Sequence, residues 1–259
     1  MRKKRNMEKA KNTVRSSEKT LRILEAIHEL EGGGVTEIAD HLGMSKATAH
    51  HHLSTLEDNE YIVKDGSTYR SGLRLLEMGE QSRRQTGVFD IAKGEIDGLA
   101  DQTGELANLM IEEHGRGVYV YIAAGEEAVH LDTRVGTQQY LHTSALGKSI
   151  LAHMPRERFE EVIDRHGLPA QTPNTVTDKD TLKGELEEIR NRGVAFDGEE
   201  RAEGIRCVAA PITDNAGGLI GAVSVSGPST KMKGDRFREE IPEIVQDTAT
   251  VIGINVSYS

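Results

Sequence analysis

VTEIADHLGMSKATAHHHLSTL, residues 35–56, divides into two short apolar-striped runs joined by a turn of about three residues, Gly43-Met44-Ser45. In the first run Ile38, Ala39 and Leu42 share a side, Thr36 stands where an N-cap is expected, and Gly43 supplies the stop. In the second, Ser45 is the expected cap and Ala49, Leu53 and Leu56 recur at helical spacing, with His52 on their flank. Two short helices about a glycine-containing turn form the helix-turn-helix pattern, whose second helix enters a DNA major groove.

The flanks extend this pattern. Upstream, Ile23, Leu24, Ile27 and Leu30 keep helical phase behind Ser16 and Ser17 as cap candidates, and Gly32-Gly33-Gly34 breaks the run. Downstream, Tyr61-Ile62-Val63 and Ser67-Thr68-Tyr69 flank Asp65-Gly66, a dipeptide that favours a tight hairpin and predicts a wing. Over 73–85, Leu73, Leu76 and Glu80 stay in helical phase with too little apolar width for burial in one chain, which reads as a linker helix suited to dimerisation.

Beyond it a helix is expected over 89–102, followed by strands at LANLMIEE (106–113), VYVYIAA (118–124) and AVHLD (128–132). Helices over 144–153, 155–166 and 178–192 come next. Strands return at VAFD (194–197), IRCVAAPIT (205–213) and LIGAVSVSG (219–227), before a last helix over 235–254. An antiparallel sheet with helices segregated around it makes an α+β domain, not a doubly wound sheet. The expected organisation is a basic arm over 1–15, a winged helix-turn-helix over 16–72, the linker helix over 73–87 and a second domain over 88–259.

Charge supports the division. The net charge of −10 splits into +2 over residues 1–86 and −12 over 87–259, as for a nucleic-acid-binding part joined to an acidic one. Nine of the basic residues lie in 1–22, where an arm can track phosphates or a minor groove, or serve only as a solvated tail. No apolar run approaches the ~18 to 20 residues of a membrane span, and the basic start leads into no apolar segment, so a cytoplasmic setting is expected. The single cysteine, Cys207, excludes an internal disulfide, and without paired CxxC or HExxH motifs no metal or cofactor is implied.

On the second helix Ser45, Lys46, Thr48, His50 and His51 point away from the apolar face. Ser, Thr and Lys suit phosphate contacts, and His50 or His51 can donate to base edges. Thr36, with Lys64 and Arg70 on the wing, completes the set expected to meet double-stranded DNA. A solvated face in a protein-binding winged helix is the competing reading. Consecutive histidines on a helix point about 100° apart, so the three cannot converge on one ion.

LHTSALGKSILA (141–152) and RGVAFDGEERAEGIRCVAAPITDNAGGLIGAVSVSGP (192–228), in this order of domains, resemble regulators of the IclR family over roughly residues 16–256. The resemblance implies a GAF-like domain that binds a small-molecule effector, dimers on palindromic operators, and tetramers built through the sensor domains. It also places the effector pocket at Ala145, Leu146, Asp197, Cys207, Ser224 and Ser226. The family commonly has arginine at His51, where this chain has an imidazole in place of a guanidinium, and leucine at His52.

The residues agree with a pocket for an acid. ALGKS ends like a nucleotide-binding loop, but His142 stands where that motif needs glycine. Thr143 or Ser144 instead starts a helix directly after a strand, so the amides around Ala145 and Leu146 form a seat for a carboxylate. Asp197, Ser224 and Ser226 suit the hydroxyl or keto end of a small organic or sugar-derived acid. Ser224 and Ser226 also read as satisfied core hydroxyls. The alternative class is a cysteine-dependent enzyme with Cys207 as nucleophile and a histidine such as His142 as base, although a thiol in an apolar strand is usually inert.

Overall fold

The computed structural model describes residues 13–259 apart from His130 and Asp132; most of the expected basic arm, residues 1–12, lies outside the described residues. The chain divides into two compact units, Met1–Gln85 and Thr86–Ser259.

The first unit runs α1 Arg15–Glu29, β1 Gly33–Gly34, α2 Val35–Leu42, α3 Lys46–Asp58, β2 Ile62–Asp65, β3 Thr68–Ser71 and α4 Arg74–Arg84. Ser45 caps α3, its hydroxyl accepting the Thr48 N–H at 3.2 Å, and Gly43 ends α2 in the left-handed region at φ 63°. Two expected caps are corrected. α1 starts from extended Val14, so Ser16 and Ser17 sit inside its first turn. Thr36 does not cap α2, because Gly33 and Gly34 pair with Tyr69 and Thr68 and hold the chain extended until Val35. The hairpin forms one residue later than its dipeptide suggests: Asp65 pairs with Thr68, leaving Gly66-Ser67 as the two-residue turn.

Ile23, Ile27, Ile38, Leu53, Leu56, Ile62 and Tyr69 fill the core of this unit, each large aliphatic contributing about 1.5–3 kcal/mol by burial. His52 lies at its edge and hydrogen-bonds the Thr20 hydroxyl at 2.8 Å, joining α3 to α1. α4 buries no residue, and Leu73, Leu76 and Met78 lie exposed along it.

The second unit runs α5 Phe89–Thr103, β4 Leu106–Glu113, β5 Arg116–Ala124, β6 Gln138–Tyr140, a 3₁₀ turn Leu141–Thr143, α6 Ala145–His153, α7 Arg156–His166 and α8 Lys179–Arg192. It continues with β7 Ala195–Gly198, β8 Ile205–Thr213, β9 Leu219–Pro228, a π-helical stretch Arg236–Glu240 and α9 Ile241–Ser257. The strands form one antiparallel sheet in the order β6-β5-β4-β9-β8-β7. The strand expected over 128–132 is not formed at Ala128, Val129 or Leu131; Gln138–Tyr140 takes the free edge of β5 instead.

Strand alternation sorts the side chains by face. Leu109, Val208, Val223 and Val225 pack with α5 and α9. Met110, Ala209 and Ala222 point the other way, against α6 and α8. Among the described residues no helix is long and apolar enough to cross a membrane.

Candidate functional site

The head of α6 is fixed by side chains of the sheet. Ser144 is extended and its hydroxyl accepts the Gly147 N–H at 3.2 Å and the Gln139 Nε2 at 2.6 Å. Gln139 in turn accepts from the Tyr119 hydroxyl at 3.3 Å. A Cβ on Gly147 would overlap the Leu141 carbonyl oxygen, so this glycine lets the helix close on the 3₁₀ turn. Ala145 and Leu146 supply the first two amides of α6, which an α-helix leaves without internal acceptors.

Register brings the remaining expected residues onto this face. Asp197, Cys207 and Ser226 lie side by side on β7, β8 and β9, and Ser224 stands two residues before Ser226. Asn108 on β4, paired with Ser224, donates from its amide to Ser224 Oγ at 3.2 Å and Ser226 Oγ at 3.3 Å. Ser226 donates to Cys207 Sγ at 3.1 Å. All six expected effector residues are buried, and both serine hydroxyls are hydrogen-bonded inside the protein.

The electrostatics follow from that burial. Loss of water pushes the Asp197 carboxyl up to about 7, against the Glu200 N–H that it accepts at 2.7 Å. Burial pushes the Cys207 thiol up to about 12 and pushes His142 down to about 4, against the hydrogen bond to the Pro169 carbonyl. Lys148, the lysine of the loop-like motif, is buried with its Nζ 2.6 Å from Glu200 and 3.1 Å from Glu185.

Four participants escaped sequence reasoning: Asn108, Tyr119, Gln139 and Arg201. Arg201 follows Asp197 by four residues, lies over the Tyr119 ring 5.6 Å from its centroid, and donates to the Thr133 hydroxyl at 2.7 Å. The only available signal was Asn108, a polar residue inside the run LANLMIEE.

Two open hollows are lined by other residues. One, of about 530 Å³, is lined by Glu112, His153, Arg158 and the turn Gly217-Gly218-Leu219. The other, of about 840 Å³, lies between the head of α2 and the wing, where Thr36 and Lys64 share it with Glu37 and Asp40.

In the first unit Thr36, Ser45, Lys46, His50, His51, Lys64 and Arg70 are exposed, and Thr48 is half-buried. Ser45 and Thr48 also bond each other at 2.8 Å, so both hydroxyls already serve the head of α3. Lys64 lies 5.5 Å from the centroid of the Tyr69 ring.

The proposed enzyme pair finds no support in the geometry. His142 Nε2 meets the Pro169 carbonyl at 3.1 Å, while Cys207 lies between Ser226 and its neighbour's carbonyl.

Residues 16–66 match the family described as the IclR helix-turn-helix domain, and residues 81–254 match the bacterial transcriptional regulator IclR C-terminal family. The chain is 35% identical over 90% of its length to 90% of the Halobacterium salinarum protein named "Probable HTH-type transcriptional regulator ArcR". It is 34% identical over 86% of its length to 81% of the regulator BhcR of Paracoccus denitrificans. Among solved structures, that of Thermotoga maritima IclR superposes with a TM-score of 0.78 at 32% identity, covering 94% of this chain and 99% of that one. These relatives are regulators, not enzymes, and the chain belongs to the IclR family of DNA-binding transcriptional regulators, with a C-terminal effector-binding domain.

Proposed function

We propose that the protein binds a palindromic operator as a homodimer, and that a small organic or sugar-derived acid, held unchanged in the second unit, controls that binding. The observation that carries the effector reading is the buried row Asp197–Cys207–Ser226, with Asn108 bridging Ser224 and Ser226, on the face covered by α6. The acid's carboxylate sits on the amides of Ala145 and Leu146, where the helix dipole favours negative charge. Its hydroxyl or keto group meets Ser224, Ser226 and Asp197, with Cys207 as a wall.

On the DNA side α3 enters the major groove. Lys46, Ser45, Thr48 and Thr36 take phosphates, His50 and His51 reach base edges or backbone, and Lys64 and Arg70 bring the wing to the backbone. Dimerisation through α4 is supported by its uncovered Leu73, Leu76 and Met78, and tetramers then form through the second units. Two recognition helices call for half-sites about one helical turn, ~10 bp, apart or a multiple of it.

A thermal-shift screen of small carboxylates, sugar acids and aromatic acids tests the effector reading, since a ligand at ~100 times its dissociation constant adds ~2.7 kcal/mol. A stabilising acid should be recovered intact and should weaken in Ser224→Ala and Ser226→Ala. Stabilisation that survives loss of both serines moves the site elsewhere.

A further inference from the structure

We propose that Arg201 reads a second acidic group on the effector, so that this sensor domain selects dicarboxylates over monocarboxylates, and that Thr133 holds the guanidinium until such a ligand takes it. The inference rests on the effector reading above and adds a charge requirement to it.

Two cations border the polar row. Lys148 is neutralised by two carboxylates, Glu200 at 2.6 Å and Glu185 at 3.1 Å. Arg201 is half-buried, and among the described residues it pairs with no carboxylate; its side chain has one hydroxyl, Thr133 Oγ1 at 2.7 Å, and the face of Tyr119. A guanidinium held this way forgoes the two parallel charge-assisted bonds that a carboxylate offers its fork.

Tyr119 ties the two ends of the site together. Its ring lies under Arg201, its hydroxyl donates to Gln139, and Gln139 donates to Ser144 at the head of α6. An acid with one carboxylate on the amides of Ala145 and Leu146 thus extends past Tyr119 with its second carboxylate on Arg201. A monocarboxylate engages only one end.

Thr133 belongs to the connection between β5 and β6. Moving the guanidinium from Thr133 to the ligand releases an anchor of that connection. Liganded and unliganded arrangements then differ in a named contact, as a ligand that shifts an equilibrium requires.

The test is titration calorimetry on the full-length protein with malonate, succinate, glutarate and adipate, each against the monocarboxylate of equal carbon number. Wild type should bind at least one diacid about tenfold or more tighter than its monoacid. Arg201→Gln should lower diacid affinity about ten- to hundredfold and monoacid affinity by a much smaller factor, so that the diacid preference collapses. Arg201→Lys, which keeps charge without the fork, should fall between, and an unaltered unfolding midpoint excludes misfolding.

A diacid preference that persists in Arg201→Gln, or no diacid preference in wild type, overturns the proposal. If monoacids bind and lose affinity in the double variant Ser224→Ala, Ser226→Ala, the effector reading stands without Arg201. Acid binding indifferent to both serines overturns the effector reading itself.

Discussion

Ser226 and Cys207 are cross-strand partners on β9 and β8, and the serine hydroxyl donates to the cysteine sulfur at 3.1 Å. That bond makes the thiol an acceptor, and burial, with the Asp197 carboxyl beside it, pushes it up to about 12. A thiolate is the reactive species, so Cys207 should be inert in the folded protein. A disulfide reagent at pH 8 should label it only after unfolding, and Cys207→Ser should keep effector binding. Labelling of the native protein at the rate of a free thiol would contradict this.

Asp197 and His142 give opposite pH dependences over nearly the same range. The Asp197 carboxyl is raised to about 7 by burial, so its favourable contribution is whole below the unfolded value of ~3.9 and is lost as pH rises through about 7. His142 is lowered to about 4 by burial, so its contribution is present above ~6.5 and lost as pH falls through about 4. Each slope reaches at most ~1.4 kcal/mol per pH unit. Urea unfolding between pH 4.5 and 7.5 should show Asp197→Asn gaining stability relative to wild type as pH rises, and His142→Gln losing it. Two variants that run parallel to wild type would show that neither group titrates in this way.

Lys148 tests the ion cluster beneath α6. Removing one partner of a buried pair costs about 3–5 kcal/mol, because the remaining charge is stranded. Lys148→Met should therefore destabilise strongly in chemical denaturation, and adding Glu200→Leu should restore much of the loss. Equal stability of wild type and Lys148→Met would mean that Glu200 is solvated in solution.

The helices and long strands were legible because apolar periodicity records which face is buried; β8, Ile205–Thr213, has the span its sequence suggests. What escaped lacks such a record. Gly33 and Gly34 form β1 through backbone pairing alone, and their pairing displaced the cap expected at Thr36. β6 is three residues long and rich in glutamine, whereas AVHLD alternates well yet no strand forms at its described residues. For the site, the register of β7, β8 and β9 unites residues that spacing alone leaves apart. Asn108, Gln139 and Arg201 depend on partners 116, 20 and 68 positions away, distances that local pattern cannot encode.

Lys46 is the first residue of α3 and is exposed. Lys46→Glu should abolish operator binding in a gel-shift assay, and His51→Arg should strengthen it severalfold by supplying a permanent charge and a bidentate donor. Wild-type affinity should fall steeply between ~0.1 and ~0.5 M salt. Affinity unaltered by Lys46→Glu would remove α3 from the interface.

Operator affinity measured by fluorescence anisotropy, with and without an acid found to stabilise the protein, is the most direct test of metabolite control. The acid should shift operator affinity in wild type, return chemically unchanged, and have no effect in the double variant Ser224→Ala, Ser226→Ala, whose affinity for DNA alone stays as in wild type. An acid that binds yet leaves operator affinity unchanged, or a full response in the double variant, would contradict it.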